Sequence, residues 1–260
     1  MHRLLVDSVQ LESEAPRLPK EALAHLRVLR PRDGEPVELF DGKGKWRTFA
    51  YRRDIRPRTA SACPENVASP LTPADDAVHV AARPAPLTLF ACVTKGSRWD
   101  WTIEKATELG VTRIVPVVSD RTIVRIAPNE RAAKRERWMR IAEDAARQSD
   151  AKWLPEIHEP VTFVESLALV RETTCFVGAL TNPPPPMIAT ALPTSTSTSG
   201  LQPPISHLSL YVGPEGDFTP EELAALLAVA VPVSFGSTIL RAETAAIYGL
   251  SVLKSRLDAR

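Results

Sequence analysis

The chain has 260 residues, 44% hydrophobic and 24% charged, with a formal net charge of +1. This excludes a disordered polypeptide and any partner chosen by bulk charge, and it leaves room for one large domain or two modest ones. No apolar run approaches the roughly 20 residues of a membrane span, and MHRLLVDSVQ lacks the apolar centre of a secretion signal. Cys63, Cys92 and Cys175 are odd in number and contain no C-x-x-C pair. Neither a disulfide framework nor a metal site is expected, and a cytoplasmic setting fits.

Residues 1 to 82 alternate β-type runs with turn signals. The runs are LLV (4–6), PVELF (36–40) and WRTFAY (46–51), and DG (33–34) and DGKG (41–44) lie between them. A helix is expected from about Pro19 to Arg30, with Ala22, Leu23, Leu26 and Leu29 on one face. The pattern predicts a small β-barrel or half-barrel. The stretch from Ala60 to Pro86, rich in Ala, Pro, Ser and Asp, reads as a last weak strand and a linker.

From Leu87 onward strands and helices alternate. LTLFACV (87–93) is apolar throughout, as a strand covered on both faces should be. A helix from about Trp99 to Leu109 ends at Gly110, and RIVPVVS (113–119) is the next strand. A long helix follows from about Asn129 to Gln148. CFVGAL (175–180), LSLYVG (208–213) and VPVSFG (231–236) are further strands, with helices starting near Thr219 and Ala242. The alternation predicts an α/β domain over 83–260, a mostly parallel sheet with helices on both faces. Within it, TNPPPPMIATALPTSTSTSGLQPPIS (181–206) is low in complexity and reads as a flexible surface insertion.

Several stretches carry possible chemistry. In YVGPEGDFTPEEL (211–223), Gly213 and Gly216 follow a buried strand and leave room for a ligand to approach the main chain. Thr219, Pro220 and Glu222 form a helix start with a capping box. Ligands of open α/β sheets bind at such strand-to-helix turns. Neither G-x-G-x-x-G nor G-K-[ST] is present, and Glu215 inside the turn repels phosphate, so a neutral or cationic ligand fits better. A purely structural turn is the alternative. FGSTILRAETAAIYGL (235–250) repeats the strand–Gly–loop–helix logic. Glu243 there is favoured by the helix dipole, whereas Arg241 is not, which points to an anionic partner or to a surface pair with Glu243. Lys95 and Arg98 follow a strand end, with Trp99, Trp101 and Ile103 as core candidates, and Gln148 and Ser149 end a polar helix.

Cations concentrate in KGKWRTFAYRRDIRPR (43–58), where Lys43, Lys45, Arg47, Arg52, Arg53, Arg56 and Arg58 oppose Asp54 alone. Trp46, Phe49 and Tyr51 are interleaved with them. A strand of period two can point cations to one side and aromatics to the other, leaving a basic face for RNA. A solvated charge run is the alternative.

Taken in order, HLRVLRPRDGEPVELFDGKG (25–44), KGSRWDWTIEKATELGV (95–111), QSDAKWLPEI (148–157), YVGPEGDFTPEEL (211–223) and ILRAETAA (239–246) resemble the SPOUT methyltransferases, and within them the ribosomal RNA small subunit methyltransferase E family. The resemblance covers nearly the whole chain. It implies a PUA-like RNA-binding domain over 1–82 and, over 83–260, a SPOUT domain tied in a deep trefoil knot. It implies S-adenosyl-L-methionine as cofactor, bent and cradled by three loops: Gly178, Ala179 and Leu180; Tyr211 to Gly216, with Val212, Gly213, Pro214, Glu215 and Gly216; and Phe235 to Thr244, with Gly236, Ile239, Leu240, Thr244 and the following Ala245. It implies a homodimer with each site near the interface. The implied reaction is methylation of uracil N3 in small-subunit ribosomal RNA, free or in the assembled 30S particle. Arg241 is then the candidate to stabilise the developing uridinate, and Glu243 to fix Arg241 or relay the proton. RNA contacts fall to Arg27, Arg30, Lys43, Lys45, Arg47, Arg52, Arg53, Lys95, Arg98 and Gln148. The chain departs from the family's usual pattern at Asp217 (often Gly), Asp150-Ala151 (often Gly-Arg), Arg147 (often Glu) and Thr238 (often Arg). The alternative is a non-catalytic RNA-binding assembly factor that keeps the fold.

Overall fold

The computed structural model describes residues 1–53, 70–191 and 207–259. Asp54, Arg56, Arg58 and Cys63, and the part of the low-complexity stretch from 192 to 206, lie outside them. The chain divides into two compact units, Met1–Arg83 with Ala146–Leu154, and Pro84–Ala145 with Pro155–Arg260.

In the first unit, β1 (His2–Leu5) runs parallel to β2 (Pro36–Phe40), which pairs antiparallel with β3 (Lys45–Tyr51). β3 pairs in turn with β4 (Leu71–Pro73) and β5 (His79–Val80). Among the described residues this sheet is open, and no barrel closes. The one-turn α1 (Ser8–Leu11) and α2 (Lys20–Leu29) cover it, and Leu4, Leu11, Leu26, Val37, Leu39 and Phe49 form the core. α2 buries Ala22 and Leu26 on the expected apolar stripe.

The segment 146–154 joins this unit through contacts with a physical cause. Gly44 (φ 98°) lies against Trp153, where a Cβ would sit 2.5 Å from the indole ring. Arg3, nearly buried, pairs with Glu38 at 2.7 Å and donates to the carbonyls of Ala146, Arg147 and Ala151. Lys152 Nζ reaches both oxygens of Glu38 at 2.6 Å. A carboxylate this deeply buried is tolerable because two cations satisfy it. No single-sequence pattern pairs residue 38 with residue 152.

The second unit is built on a seven-stranded sheet: β6 (Leu87–Cys92), β7 (Arg113–Val118), β8 (Glu156–Ile157), β9 (Val161–Thr162), β10 (Thr174–Gly178), β11 (Leu208–Val212) and β12 (Val231–Val233). The path runs β12-β10-β11-β6-β7-β8, with β9 also on β7, and every described pairing is parallel. Strand alternation divides the core. Leu87, Leu89 and Ala91 face the side packed by α3 (Ser97–Glu108) and α8 (Ala242–Asp258). Phe90 and Cys92 face the side of α5 (Phe163–Val170) and α7 (Pro220–Leu227). α4 (Arg131–Ser149) adds Trp138 and Ala142 to the first side. Cys92 and Cys175 are free and buried, and burial pushes both thiols up to about 12.

One expectation needs correction. The stretch from 181 does not begin as a detached insertion, because Met187 bridges to Ser234 and Ile188 at the start of α6 (Ile188–Ala191) is fully buried. Met187 and Ile188 suffice to pin it, whatever the prolines before them.

At the opposite ends of the strands, Arg113 lies between two half-buried histidines. Its Nε donates to His158 Nε2 at 2.9 Å, and His207 Nε2 is 2.8 Å from Thr88 Oγ1. Burial first, and the Arg113 charge second, lower both imidazole pKa values below 6.5, with Glu156 and Glu172 opposing. The unfolded chain therefore binds more protons than the native one as pH falls below about 6.5. Stability from these sites is full above that pH and is lost on acidification. The urea midpoint should drop between pH 7.5 and 5.5, and a His158→Gln/His207→Gln variant should lose part of that drop. An identical drop in both proteins would contradict the assignment.

Candidate functional site

The C-terminal ends of β12, β10 and β11 lie side by side, with Gly178 opposite Val233 and Val177 opposite Tyr211. The loops that leave them enclose a cavity of about 290 Å³. Of the residues expected around a cofactor, it brings together Gly178, Ala179, Leu180, Val212, Gly213, Pro214, Glu215, Gly236, Ile239, Leu240 and Ala245. Gly216 and Thr244 stay outside its lining, and Tyr211 turns away into the core, its hydroxyl 2.7 Å from Ser166 Oγ. Tyr211 precedes the turn by an odd number of strand positions from Val212, so the two side chains take opposite faces.

Each loop is held from beneath. At Gly178 a Cβ would overlap the Phe235 ring, and at Gly213 it would lie 2.9 Å from Phe218. The turn 213–217 closes through Asp217 N to Pro214 O (3.0 Å), and Asp217 takes a left-handed backbone, φ 58°. Asp150 does the same at φ 63°. Aspartate tolerates this region better than most residues, so it can stand at 150 and 217, where the resemblance implies Gly. Thr219 and Glu222 make the expected capping box, and Glu222 Oε1 also accepts from Asp120 N at 2.9 Å.

The sequence reading missed Arg121. Its Nη1 donates to the carbonyls of Gly216 (2.9 Å) and Phe218 (3.1 Å), so the 119–122 loop clamps the second half of the turn. SDRT carries no motif of its own, and only proximity reveals it. Ser234 was missed too, and its Oγ bridges Gly236 N and O. Asp217, Phe235, Thr238 and Ala242 complete the wall.

Charge at the mouth is mixed. Arg98, at the start of α3, pairs with Glu215 at 2.9 Å and so ties two of the sequence motifs together. Arg241, the N-cap residue of α8, is exposed and lines the cavity. Among the described residues it forms no ion pair with Glu243. Glu243 Oε2 is instead buried without a hydrogen-bond partner. An unpaired buried carboxylate oxygen is costly unless something else satisfies it.

In the first unit, the basic run does not sort as expected. β3 places Lys45, Arg47, Phe49 and Tyr51 on one face and Trp46, Thr48 and Ala50 on the other, because cations and aromatics share odd positions. Arg47 is buried and donates to Leu11 O and Asp75 O, which removes it from any exposed basic face. Lys45 pairs with Glu12 at 3.5 Å, and Arg52 Nε donates to Thr72 Oγ1. Arg27, Arg30, Lys43, Arg53, Lys95 and Gln148 are exposed. Trp99 and Ile103 are buried, whereas Trp101 is 41% exposed.

Residues 81–254 match the RNA methyltransferase domain family. Over 99% of this chain and 78% of the relative, the sequence is 32% identical to the ribosomal RNA small subunit methyltransferase E of Synechocystis. It is 31% identical to that of Bacillus subtilis over 67% of this chain and 68% of the relative. The crystal structure of the same enzyme from Neisseria gonorrhoeae, bound to S-adenosyl methionine, superposes with a TM-score of 0.77 at 27% identity over 98% of both chains. With the motifs in order, and the loops of the match meeting in one cavity, the chain belongs to the ribosomal RNA small subunit methyltransferase E family.

Proposed function

We propose that this protein transfers a methyl group from S-adenosyl-L-methionine to N3 of a uracil in small-subunit ribosomal RNA. The observation that carries the reading is the convergence of GAL, GPEGD and the GSTILR loop around one cavity at neighbouring strand ends. The residues fit this cofactor. The walls are largely apolar, the glycines at 178 and 213 bring main chain to the surface, and the carboxylates of Glu215 and Asp217 suit a sulfonium cation rather than a phosphate.

When bound, the cofactor supplies an electrophilic methyl group on sulfur. The protein's task is orientation and charge stabilisation. Uracil N3 carries a proton and lies on the Watson–Crick edge, so the base has to be unpaired or flipped toward the cavity. Arg241 donates to the uracil oxygen on which charge grows as that proton leaves. Glu243, with an unpartnered oxygen two residues away, accepts the proton. Arg98 and Arg121 hold the GPEGD turn in register for this geometry.

The same reading includes the knotted chain path, a PUA-like role for the first unit in binding RNA, a homodimer, a cytoplasmic setting and a substrate of free rRNA or the 30S particle. The family membership and the exposed cations Arg27, Arg30, Lys43 and Arg53 support it. Calorimetric titration tests the site. S-adenosyl-L-methionine should bind one per chain, and ATP should not compete. Preferential binding of ATP would overturn the reading.

A further inference from the structure

A second cavity lies wholly within the first unit, at the C-terminal end of α2 and the end of β3. Its volume is about 390 Å³. Leu26, Pro31 and Pro70 form a buried apolar floor, Tyr51 is half-buried at the wall, and Arg27, Arg30 and Arg53 stand exposed at the rim. Among the described residues, none of these three guanidinium groups is paired with a carboxylate. Asp33, the nearest acid in sequence to Arg30, spends one oxygen on the main-chain N–H of Arg53 at 2.8 Å.

One of the arginines is held at a conformational cost. Arg30 ends α2 in the left-handed region, φ 49° and ψ 54°, where helices usually place glycine. Its amide still bonds Leu26 O at 3.1 Å, as a glycine there would. The backbone gains nothing from a side chain at this position, and the side chain rims a cavity. Arg27 can be explained as a cation complementing the helix dipole, but Arg30 and Arg53 lie beyond the last turn.

We infer that this cavity seats a single unstacked nucleotide of the RNA partner, its base against Tyr51 and the apolar floor and its phosphates on Arg27, Arg30 and Arg53. The inference rests on the proposal that the first unit binds RNA, and it adds a site to that proposal. The chemistry is that of single-strand recognition, an apolar surface for a base beside exposed cations for the backbone. An apolar floor beside Tyr51 is what a purely electrostatic contact would not need.

The test uses the full chain, a fluorescent 12-nucleotide single-stranded RNA, and anisotropy over a range of salt. Tyr51→Leu should weaken binding about tenfold with the salt slope unchanged, as the loss of one stacking platform predicts. Arg30→Gly should weaken binding and lower the salt slope by about 0.7, one phosphate's share for a single strand. Because glycine suits φ 49°, the same variant should melt no lower than the wild type. Loss of affinity with retained stability separates a ligand role from a structural one. Unchanged RNA affinity in both variants, beside a wild type that binds, would overturn the site and leave RNA binding by the first unit standing. No RNA binding by the wild type would overturn both. Competition by micromolar uridine 5′-monophosphate would assign the cavity to a free nucleotide and overturn the RNA assignment.

Discussion

Replacing Arg241 by alanine should slow methyl transfer by about 10²–10³-fold and leave the affinity for S-adenosyl-L-methionine within a few-fold. The split follows from where the residue stands. Arg241 is exposed at the mouth of the cavity and opens α8, while the glycine turns and carboxylates that suit the cofactor belong to the other two loops. A guanidinium at the mouth faces the incoming uracil. Arg241→Lys should recover little, because a point charge does not reproduce a planar fork. Single-turnover rates together with calorimetry check both halves. A variant that turns over normally, or one that fails chiefly in cofactor affinity, would remove Arg241 from the role proposed for it.

The second large effect concerns stability. Glu38→Ala should destabilise the first unit by about 3–5 kcal/mol, since it strands two cations around a carboxylate that is 1% exposed. Arg3 would keep its carbonyl partners at 146, 147 and 151 but lose its buried counter-charge, and both Arg3 and Lys152 would be left with the exposed carboxylate of Asp150. A double replacement of Glu38 and Arg3 by apolar residues of similar size should recover much of the loss. Urea denaturation followed by Trp fluorescence reads the change, and a cost below about 1 kcal/mol would show the pair to be dispensable.

These two residues mark how much the sequence could disclose. Arg241 stood out because it opposes a helix dipole beside a strand-end glycine, a local signal. So did the capping box at Thr219 and Glu222 and the glycine turn before it, and the alternation of strands and helices from Leu87 was legible as a parallel sheet. Glu38 gave no such signal, because its partners lie at residues 3 and 152. Arg121 was silent for the same reason: its contacts with Gly216 and Phe218 span more than 90 residues. The error at Arg47 is of another kind. Its position on the odd face of β3, with Phe49 and Tyr51, could have been counted from the sequence, but its burial depended on Asp75, which follows the neighbouring strand β4. Local chemistry disclosed the turns and the cofactor loops. Long-range pairing decided which cations stay exposed.

The most direct measurement is methyl transfer from labelled S-adenosyl-L-methionine to small-subunit ribosomal particles from a strain lacking this protein, followed by digestion and identification of the labelled nucleoside by mass. Label is expected in 3-methyluridine, and it is lost in Arg241→Ala. Label in a different nucleoside would contradict the assignment of uracil N3, and the absence of label, together with failure to bind the cofactor, would instead favour a non-catalytic RNA-binding assembly factor.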